Sequence, residues 1–121
     1  MSIKFTLPLP PTVNHMYFTT RSGARVLTEE AKAWVVEAGF EALRQRKKQG
    51  WEKVGKGVQL YADLYFFFPN RRRRDSHNSM KILLDALEKI LYEDDQFVLP
   101  RVQEVLLDRE NPRLELEIYK K

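Results

Sequence analysis

The chain has 121 residues, 43% of them hydrophobic and 31% charged, a balance typical of one folded domain rather than a disordered segment. Its 21 Lys and Arg against 17 Asp and Glu give a net charge of +4, a mild basic bias. The absence of cysteine excludes disulfides, thiol nucleophiles and cysteine-ligated zinc, and it fits a cytoplasmic setting. No segment resembles a secretion signal or a membrane span, so we expect a soluble protein with no membrane partner.

The N-terminal region predicts a strand, a loop and a hairpin. Alternating apolar residues indicate a first strand over about residues 3–7, and the prolines that follow end it. Those prolines also hold the loop that contains Asn14 in a restricted conformation. Residues 16–20 and 25–27 flank a glycine-containing turn, which predicts a small hairpin with Arg21 at its tip. Arg21 is placed to touch a phosphate, although exposed turn arginines are more often only solvated.

A long helix and a long strand follow. Thr28 with two glutamates after it predicts a helix start, and Gly50 ends a helix that continues to about Lys48. Residues 58–68 alternate over eleven positions and predict a central strand, which Pro69 terminates. The predicted buried face of the helix consists of Ala31, Trp34, Val35, Ala38 and Ala42.

A second amphipathic helix is predicted from a cap at Asp75 or Ser76 to about Leu91. Its apolar stripe is Met80, Leu83, Leu84, Leu87 and either Ile90 or Leu91. Its opposite face carries His77, Lys81, Asp85 and Glu88 in one line.

Two strands complete the chain, over residues 97–107 and 113–119, joined by a turn at residues 108–112. Strand, hairpin, helix, strand, helix, strand and strand follow one another without repeats. This order predicts an α+β fold with a mixed β-sheet and two main helices, formed as a single domain over residues 1–121.

The charges around the second helix are the main functional signal. Four consecutive arginines, Arg71, Arg72, Arg73 and Arg74, repel one another and favour an anionic partner such as phosphate. Three acids at residues 93–95 follow the helix C-terminus, where the macrodipole disfavours negative charge. If the chain folds so that Asp95 returns to Asp75 and His77, a divalent cation would relieve the repulsion.

Each signal also has a purely structural interpretation. Asp75 can be only a helix cap, and Lys81 can be only the ion-pair partner of Asp85. The acids at residues 93–95 can belong to a turn. The arginines can form a solvated patch, or one that binds nucleic acid without catalysis.

Three motifs resemble those of one protein family. The first is Leu7-Pro8-Leu9-Pro10-Pro11 with Asn14 and Tyr17, the second is the arginine run and Asp75 with Asn78 and Lys81, and the third is Leu84-Asp85-Ala86-Leu87 with Asp94-Asp95. Together they are similar to the RusA family of Holliday-junction resolvases. The resemblance implies a small phage-associated endonuclease that acts as a homodimer with Mg²⁺ or Mn²⁺.

The resemblance also implies roles for single residues. Asp75 and Asp95 would be catalytic, metal-binding carboxylates, and Lys81 would be the catalytic lysine. His77 replaces the second aspartate of the motif, which removes a hard oxygen ligand and leaves it as a nitrogen ligand or a proton-transfer group. Asp94 competes with Asp95 for the ligand role, because the spacing after the third motif needs a one-residue gap.

The resulting expectation is a RusA-like, metal-dependent endodeoxyribonuclease that resolves four-way DNA junctions in recombination and repair. It would use Mg²⁺, with Mn²⁺ as the alternative ion, and no small-molecule cofactor. The alternatives are a non-catalytic junction-binding module with a decayed metal site and a nuclease for other branched substrates. The predicted DNA contacts are Asn14, Arg21, Arg71, Arg72, Arg73, Arg74, Asn78 and Lys81.

Overall fold

A computed structural model describes residues 2–12, 15–71 and 79–121. Its elements, in chain order, are β1 Ser2–Leu7, β2 Tyr17–Thr19, β3 Arg25–Leu27, α1 Glu29–Gln49, β4 Leu60–Phe68, α2 Met80–Leu87, a 3₁₀ turn Asp95–Phe97, β5 Val98–Leu107 and β6 Arg113–Lys120.

The main sheet has four strands in the order β1-β6-β4-β5. Strand β6 runs antiparallel to both β1 and β4, whereas β5 runs parallel to β4. A parallel neighbour requires a crossover, and α2 lies in the connection between β4 and β5. The mixed sheet with two helices confirms the predicted α+β fold and the interior place of β4. Strands β2 and β3 form the predicted hairpin as a separate two-stranded sheet.

Helix α1 has the termini that its sequence predicts. The Thr28 hydroxyl accepts a hydrogen bond from the Ala31 N–H at 3.1 Å, and Gly50 adopts a left-handed φ of 74° at the other end. The indole N–H of Trp34 donates to the Pro8 carbonyl at 3.0 Å, which ties the helix to the end of β1. The predicted face is buried except for Val35, which is only half-buried.

The core lies between the helices and one face of the sheet. On β4 the inward side chains are those of Leu60, Ala62, Leu64 and Phe66, which alternate with Tyr61, Tyr65 and Phe67 on the outer face. A buried Asp63 interrupts this outer row. Its carboxylate accepts hydrogen bonds from Arg101 at 3.0 Å, Tyr119 at 2.8 Å and Gln103 at 3.2 Å, so a charge is buried with its partners in place.

Two predicted boundaries are wrong. Strand β4 begins at Leu60 rather than Val58, and the loop before it contains Gly57 in a left-handed conformation with φ 85°. Helix α2 ends at Leu87 rather than Leu91, since Glu88 is extended and Lys89 has a left-handed φ of 71°.

The buried stripe of α2 also differs from the prediction. Ile82 and Ala86 are buried together with Leu83 and Leu87, while Met80 and Leu84 are only half-buried. The proposed caps, Asp75 and Ser76, lie outside the described residues. None of the described helices is long and apolar enough to cross a membrane.

Candidate functional site

A tight turn reverses the chain after α2. The Lys89 N–H donates to the Tyr92 carbonyl at 2.7 Å, which closes the turn. Tyr92 is buried, and its hydroxyl donates to the Leu84 carbonyl at 2.7 Å, so the returning chain is anchored to the helix it has just left. Burial is the main reason that the pKa of Tyr92 is raised. The acids that follow are therefore held beside the C-terminal part of α2.

Three carboxylates meet at this turn. Asp85, Glu88 and Asp95 each offer one oxygen, and the three oxygens lie within 4.8 Å of one another. The Asp95 backbone N–H donates to Glu88 Oε1 at 3.2 Å, which fixes the returning segment against the helix. We call these three residues the acid cluster.

Within the acid cluster, the surroundings of Asp95 shift the pKa of its carboxyl group. Burial first, and then the hydrogen bond and negative charge of Asp85, raise the pKa of Asp95. Lys81 acts in the opposite direction and lowers the pKa of Asp95. A raised carboxyl pKa means that the surroundings disfavour the charged form, as expected where like charges converge.

Lys81 lies one helical turn before Asp85. Its ammonium is 3.6 Å from the Asp85 carboxylate, and 79% of its side chain is exposed. A pair this exposed contributes little to stability, generally under about 1 kcal/mol. The lysine is thus positioned at the cluster but remains accessible to an anion from solvent.

The three consecutive acids at residues 93–95 have different surroundings. Glu93 pairs with Lys89 and Lys53, and these two cations hold the pKa of Glu93 at about 2. Asp94 accepts hydrogen bonds from the Gln96 backbone N–H at 3.0 Å and from the Gln96 side chain at 2.7 Å, which lower the pKa of Asp94. Only Asp95 belongs to the acid cluster.

The donor set of the acid cluster fits a hard divalent cation. Three carboxylate oxygens match the preference of Mg²⁺ and Mn²⁺, whereas zinc and copper sites usually include nitrogen or sulfur. A cation would also favour the charged form of Asp95, whose pKa is raised first by burial and then by Asp85. Asp85, Glu88 and Asp95 are therefore the described residues best suited to hold a metal ion.

Several predicted site residues lie outside the described residues. These are Asn14, Arg72, Arg73, Arg74, Asp75, His77 and Asn78. Of the others, Arg71 is exposed two residues after Pro69, near the end of β4, and Arg21 is exposed in the turn between β2 and β3. Of the predicted site residues that are described, Lys81 and Asp95 both lie at the acid cluster. Arg21 lies on a different element, in the turn between β2 and β3.

Asp85 and Glu88 were missed as candidate ligands in the sequence. Their spacing of three residues on the polar face of α2 was a usable signal, because such residues are neighbours on a helix surface. In the sequence Asp85 was assigned to a motif, to the polar face of the second helix and to an ion pair with Lys81, and Glu88 was assigned to the same face. Without the turn at residues 88–92, nothing in the sequence brings Asp95 to these two carboxylates.

Residues 8–119 match the family model described as "Endodeoxyribonuclease RusA". A comparison with curated proteins gave no match. The matched range begins just after β1 and reaches into β6, so it contains Lys81 and the whole acid cluster.

Proposed function

The chain belongs to the RusA endodeoxyribonuclease family, and from that premise we propose that it cuts four-way DNA junctions by metal-dependent phosphodiester hydrolysis. The observation that carries the metal dependence is the acid cluster, with its three oxygens within 4.8 Å and Lys81 next to it. This pairing of a carboxylate centre with an accessible ammonium suits chemistry on a phosphate, which brings negative charge to the site.

In this proposal Asp95, Asp85 and Glu88 hold one divalent cation, Mg²⁺ or Mn²⁺. Asp75 joins the ligand set by family resemblance, and His77, at the position of the motif's second aspartate, would add a nitrogen ligand, while Asp94 remains outside the set. When bound, the cation would polarise the phosphodiester and lower the pKa of a bound water. The carboxylates keep the ion at one place and supply the negative charge that selects a divalent cation.

Lys81 acts on the phosphate itself. Its exposed ammonium can approach a phosphate oxygen near the acid cluster and stabilise the charge that develops on the leaving oxygen. The ammonium lies 3.6 Å from the Asp85 carboxylate, which places it beside the acid cluster. Lys81→Arg would keep the positive charge at this position. It would not keep the geometry, because the guanidinium and the ammonium differ in shape and in hydrogen bonding.

Arginine side chains are the proposed ligands of the DNA phosphates. Arg71 and the three arginines after it bind phosphates without reading base sequence, as phosphate contacts carry no direct sequence information. Asn14, Arg21 and Asn78 are further proposed contacts. Because each neutralised phosphate releases counterions, junction affinity should fall steeply as salt concentration rises.

A four-way junction has two-fold symmetry, so a homodimer would present one acid cluster to each of two strands. Cuts at symmetric positions leave 5′-phosphates that a ligase can seal. The setting proposed for this activity is the cytoplasm, in DNA recombination and repair, with branched DNA as the partner.

A cleavage assay tests the proposal. A synthetic four-way junction is incubated with wild type, Asp75→Asn and Asp95→Asn, with Mg²⁺ and Mn²⁺ in parallel and with a chelator as the blank. We expect nicks only with the wild type and only with metal. Equal cutting by all three proteins would contradict the ligand assignments.

Two outcomes would replace the proposal by another function. Tight junction binding without cutting in either metal would indicate a non-catalytic junction-binding module. Faster cutting of flaps or RNA than of the junction would indicate a nuclease with another substrate. A linear duplex serves as the control for structure selectivity.

A further inference from the structure

Lys89 holds a backbone conformation that suits glycine better than lysine. Its φ is 71°, and every other described residue with a positive φ is a glycine. Glycine adopts this left-handed conformation without the steric cost that a Cβ atom adds. Residues other than glycine in such conformations occur preferentially at functional sites. A lysine at this point of the chain therefore indicates that its side chain has a use in the turn.

The side chain of Lys89 shares one carboxylate with a second lysine. One oxygen of Glu93 pairs with the Lys89 ammonium, and the other lies 2.9 Å from Nζ of Lys53. Because both ammonium groups bind the same carboxylate, they are neighbours in space. Two positive charges against one negative charge leave this group with a net positive charge. We call Lys53 and Lys89 the lysine pair.

The lysine pair is accessible to an anion from solvent. The side chains of Lys53 and Lys89 are 41% and 63% exposed, while that of Glu93 between them is 26% exposed. Each ammonium carries three N–H donors, and one carboxylate cannot accept the donors of both groups. Donors of both lysines therefore remain for an anion that approaches this surface.

The backbone fixes the position of the lysine pair. Lys53 belongs to the loop between α1 and β4, and this loop is hydrogen-bonded to the turn that carries Lys89. The Val54 N–H donates to the Leu91 carbonyl at 3.2 Å, and the Glu93 N–H donates to the Val54 carbonyl at 2.8 Å. A pair of donors that is already in place loses little conformational entropy when it binds a ligand.

The lysine pair lies next to the acid cluster, because Lys89 directly follows Glu88 in the chain. A third lysine adds positive charge on this side. Hydrogen bonds from Gln96 are the main reason that the pKa of Asp94 is lowered, and the charges of Lys56 and Lys89 lower it further. A DNA strand with one phosphate at the acid cluster would therefore meet positive charge at the turn as well.

We propose that the lysine pair binds a backbone phosphate of the DNA, other than the phosphate held at the acid cluster. Each ammonium donates to an oxygen of that phosphate, and Glu93 keeps the two side chains together before DNA arrives. The contact fixes the position of the strand without reading its bases. This inference rests on the proposed function and adds a phosphate contact to it, separate from Lys81 and from the arginines.

Junction binding at several salt concentrations tests the assignment. A fluorescently labelled four-way junction is titrated with wild type, Lys53→Ala, Lys89→Gly, the double variant and Lys4→Ala. Binding is followed by anisotropy, with a chelator present so that no strand is cut. Lys4→Ala is the matched control for each single substitution, because Lys4 is an exposed lysine on the outer face of the sheet rather than at the turn.

Loss of one phosphate contact should weaken binding about tenfold near physiological salt and reduce the salt slope by about one for each bound subunit. We expect that loss in the double variant, roughly a threefold weakening in each single variant, and no change in Lys4→Ala. Wild-type affinity and slope in the double variant would overturn the proposal. So would an equal loss in Lys4→Ala, since net charge alone would then explain the effect.

Thermal unfolding separates a role in binding from a role in folding. Lys89→Gly relieves the left-handed strain and removes only an exposed ion pair, so its Tm should equal or exceed that of the wild type. A lower Tm together with unchanged junction binding would assign Lys89 to the fold and overturn the proposal.

Junction cleavage is measured separately from binding. If the double variant binds more weakly but the wild type does not cut with Mg²⁺ or Mn²⁺, the nuclease proposal is rejected and the lysine pair stands. If the wild type cuts and the double variant binds as tightly as the wild type, the lysine pair alone is rejected.

Discussion

Replacing Asp95 by asparagine should stabilise the protein in the absence of metal and abolish its response to metal. Asp95 lies within 4.8 Å of two other carboxylate oxygens. At that separation two unit charges repel by about 1 kcal/mol in water and about 3 kcal/mol at an effective dielectric constant near 20. The lower value applies here, because 47% of the Asp85 side chain is exposed.

Asp95→Asn removes two such repulsions and retains the backbone hydrogen bond to Glu88. We therefore expect the free energy of unfolding without metal to increase by about 1 to 2 kcal/mol, equivalent to a rise in Tm of roughly 4 to 10 °C. In the wild type, Mg²⁺ or Mn²⁺ should raise Tm, because a ligand that binds only the folded state stabilises it. The variant should lose that shift, and its junction cleavage should fall at least about 100-fold.

Thermal unfolding followed by circular dichroism, with a chelator or with added metal, measures both effects. Asp94→Asn is the matched control. Its carboxylate binds Gln96 and lies outside the acid cluster, so this variant should retain the metal-induced shift. A lower Tm for Asp95→Asn in the chelator, or an unchanged response to metal, would refute the proposal that these three carboxylates form one cation site.

Three further predictions concern stability. Arg101→Met removes a hydrogen-bond donor from the buried Asp63 and should lower the urea-unfolding free energy by about 1 to 2 kcal/mol, whereas Arg109→Met in the exposed turn should not change it. Two hydrogen bonds lower the pKa of Asp108 below its ordinary value of 3.8. The one from the Asn111 N–H has the larger effect, and the one from Arg113 has the next largest. The pKa of Asp108 is lower in the folded state than in the unfolded state. Its stabilisation of the fold is therefore complete at pH values above the unfolded-state pKa, and it disappears as the pH falls through the folded-state pKa. The Tm difference between wild type and Asp108→Asn should therefore be large near about pH 6 and vanish in strong acid, and a constant difference would contradict this cause. Gly39→Val should destabilise by about 1 to 3 kcal/mol, because even a Cβ there lies 3.0 Å from Ile90 Cδ1 and 3.5 Å from the Ala86 carbonyl oxygen. Gly39→Ala is the control and should be nearly neutral, since the gain in helix propensity offsets a contact with the movable end of Ile90.

Local chemistry made most of the fold predictable from sequence. Thr28 and Gly50 bound α1 because a hydroxyl cap and a left-handed glycine are effects of adjacent residues. The alternating pattern over residues 58–68 is the longest strand pattern in the chain and predicted a central strand, and β4 does lie between β6 and β5. The motif resemblance likewise anticipated the family, whose model matches residues 8–119.

The candidate site was predictable only in part, and the physical reason is the turn at residues 88–92. Asp95 and Lys81 were candidates from the sequence, because a charge run at a helix end and a lysine on its polar face are visible in one dimension and because the family resemblance implies a catalytic role for both. The left-handed Lys89 and the anchoring hydroxyl of Tyr92 end the helix early, and no apolar repeat encodes that. Tertiary structure alone decided that Asp95 meets Asp85 and Glu88, because carboxylates converge against their mutual repulsion only where buried groups such as Tyr92 hold the backbone in place.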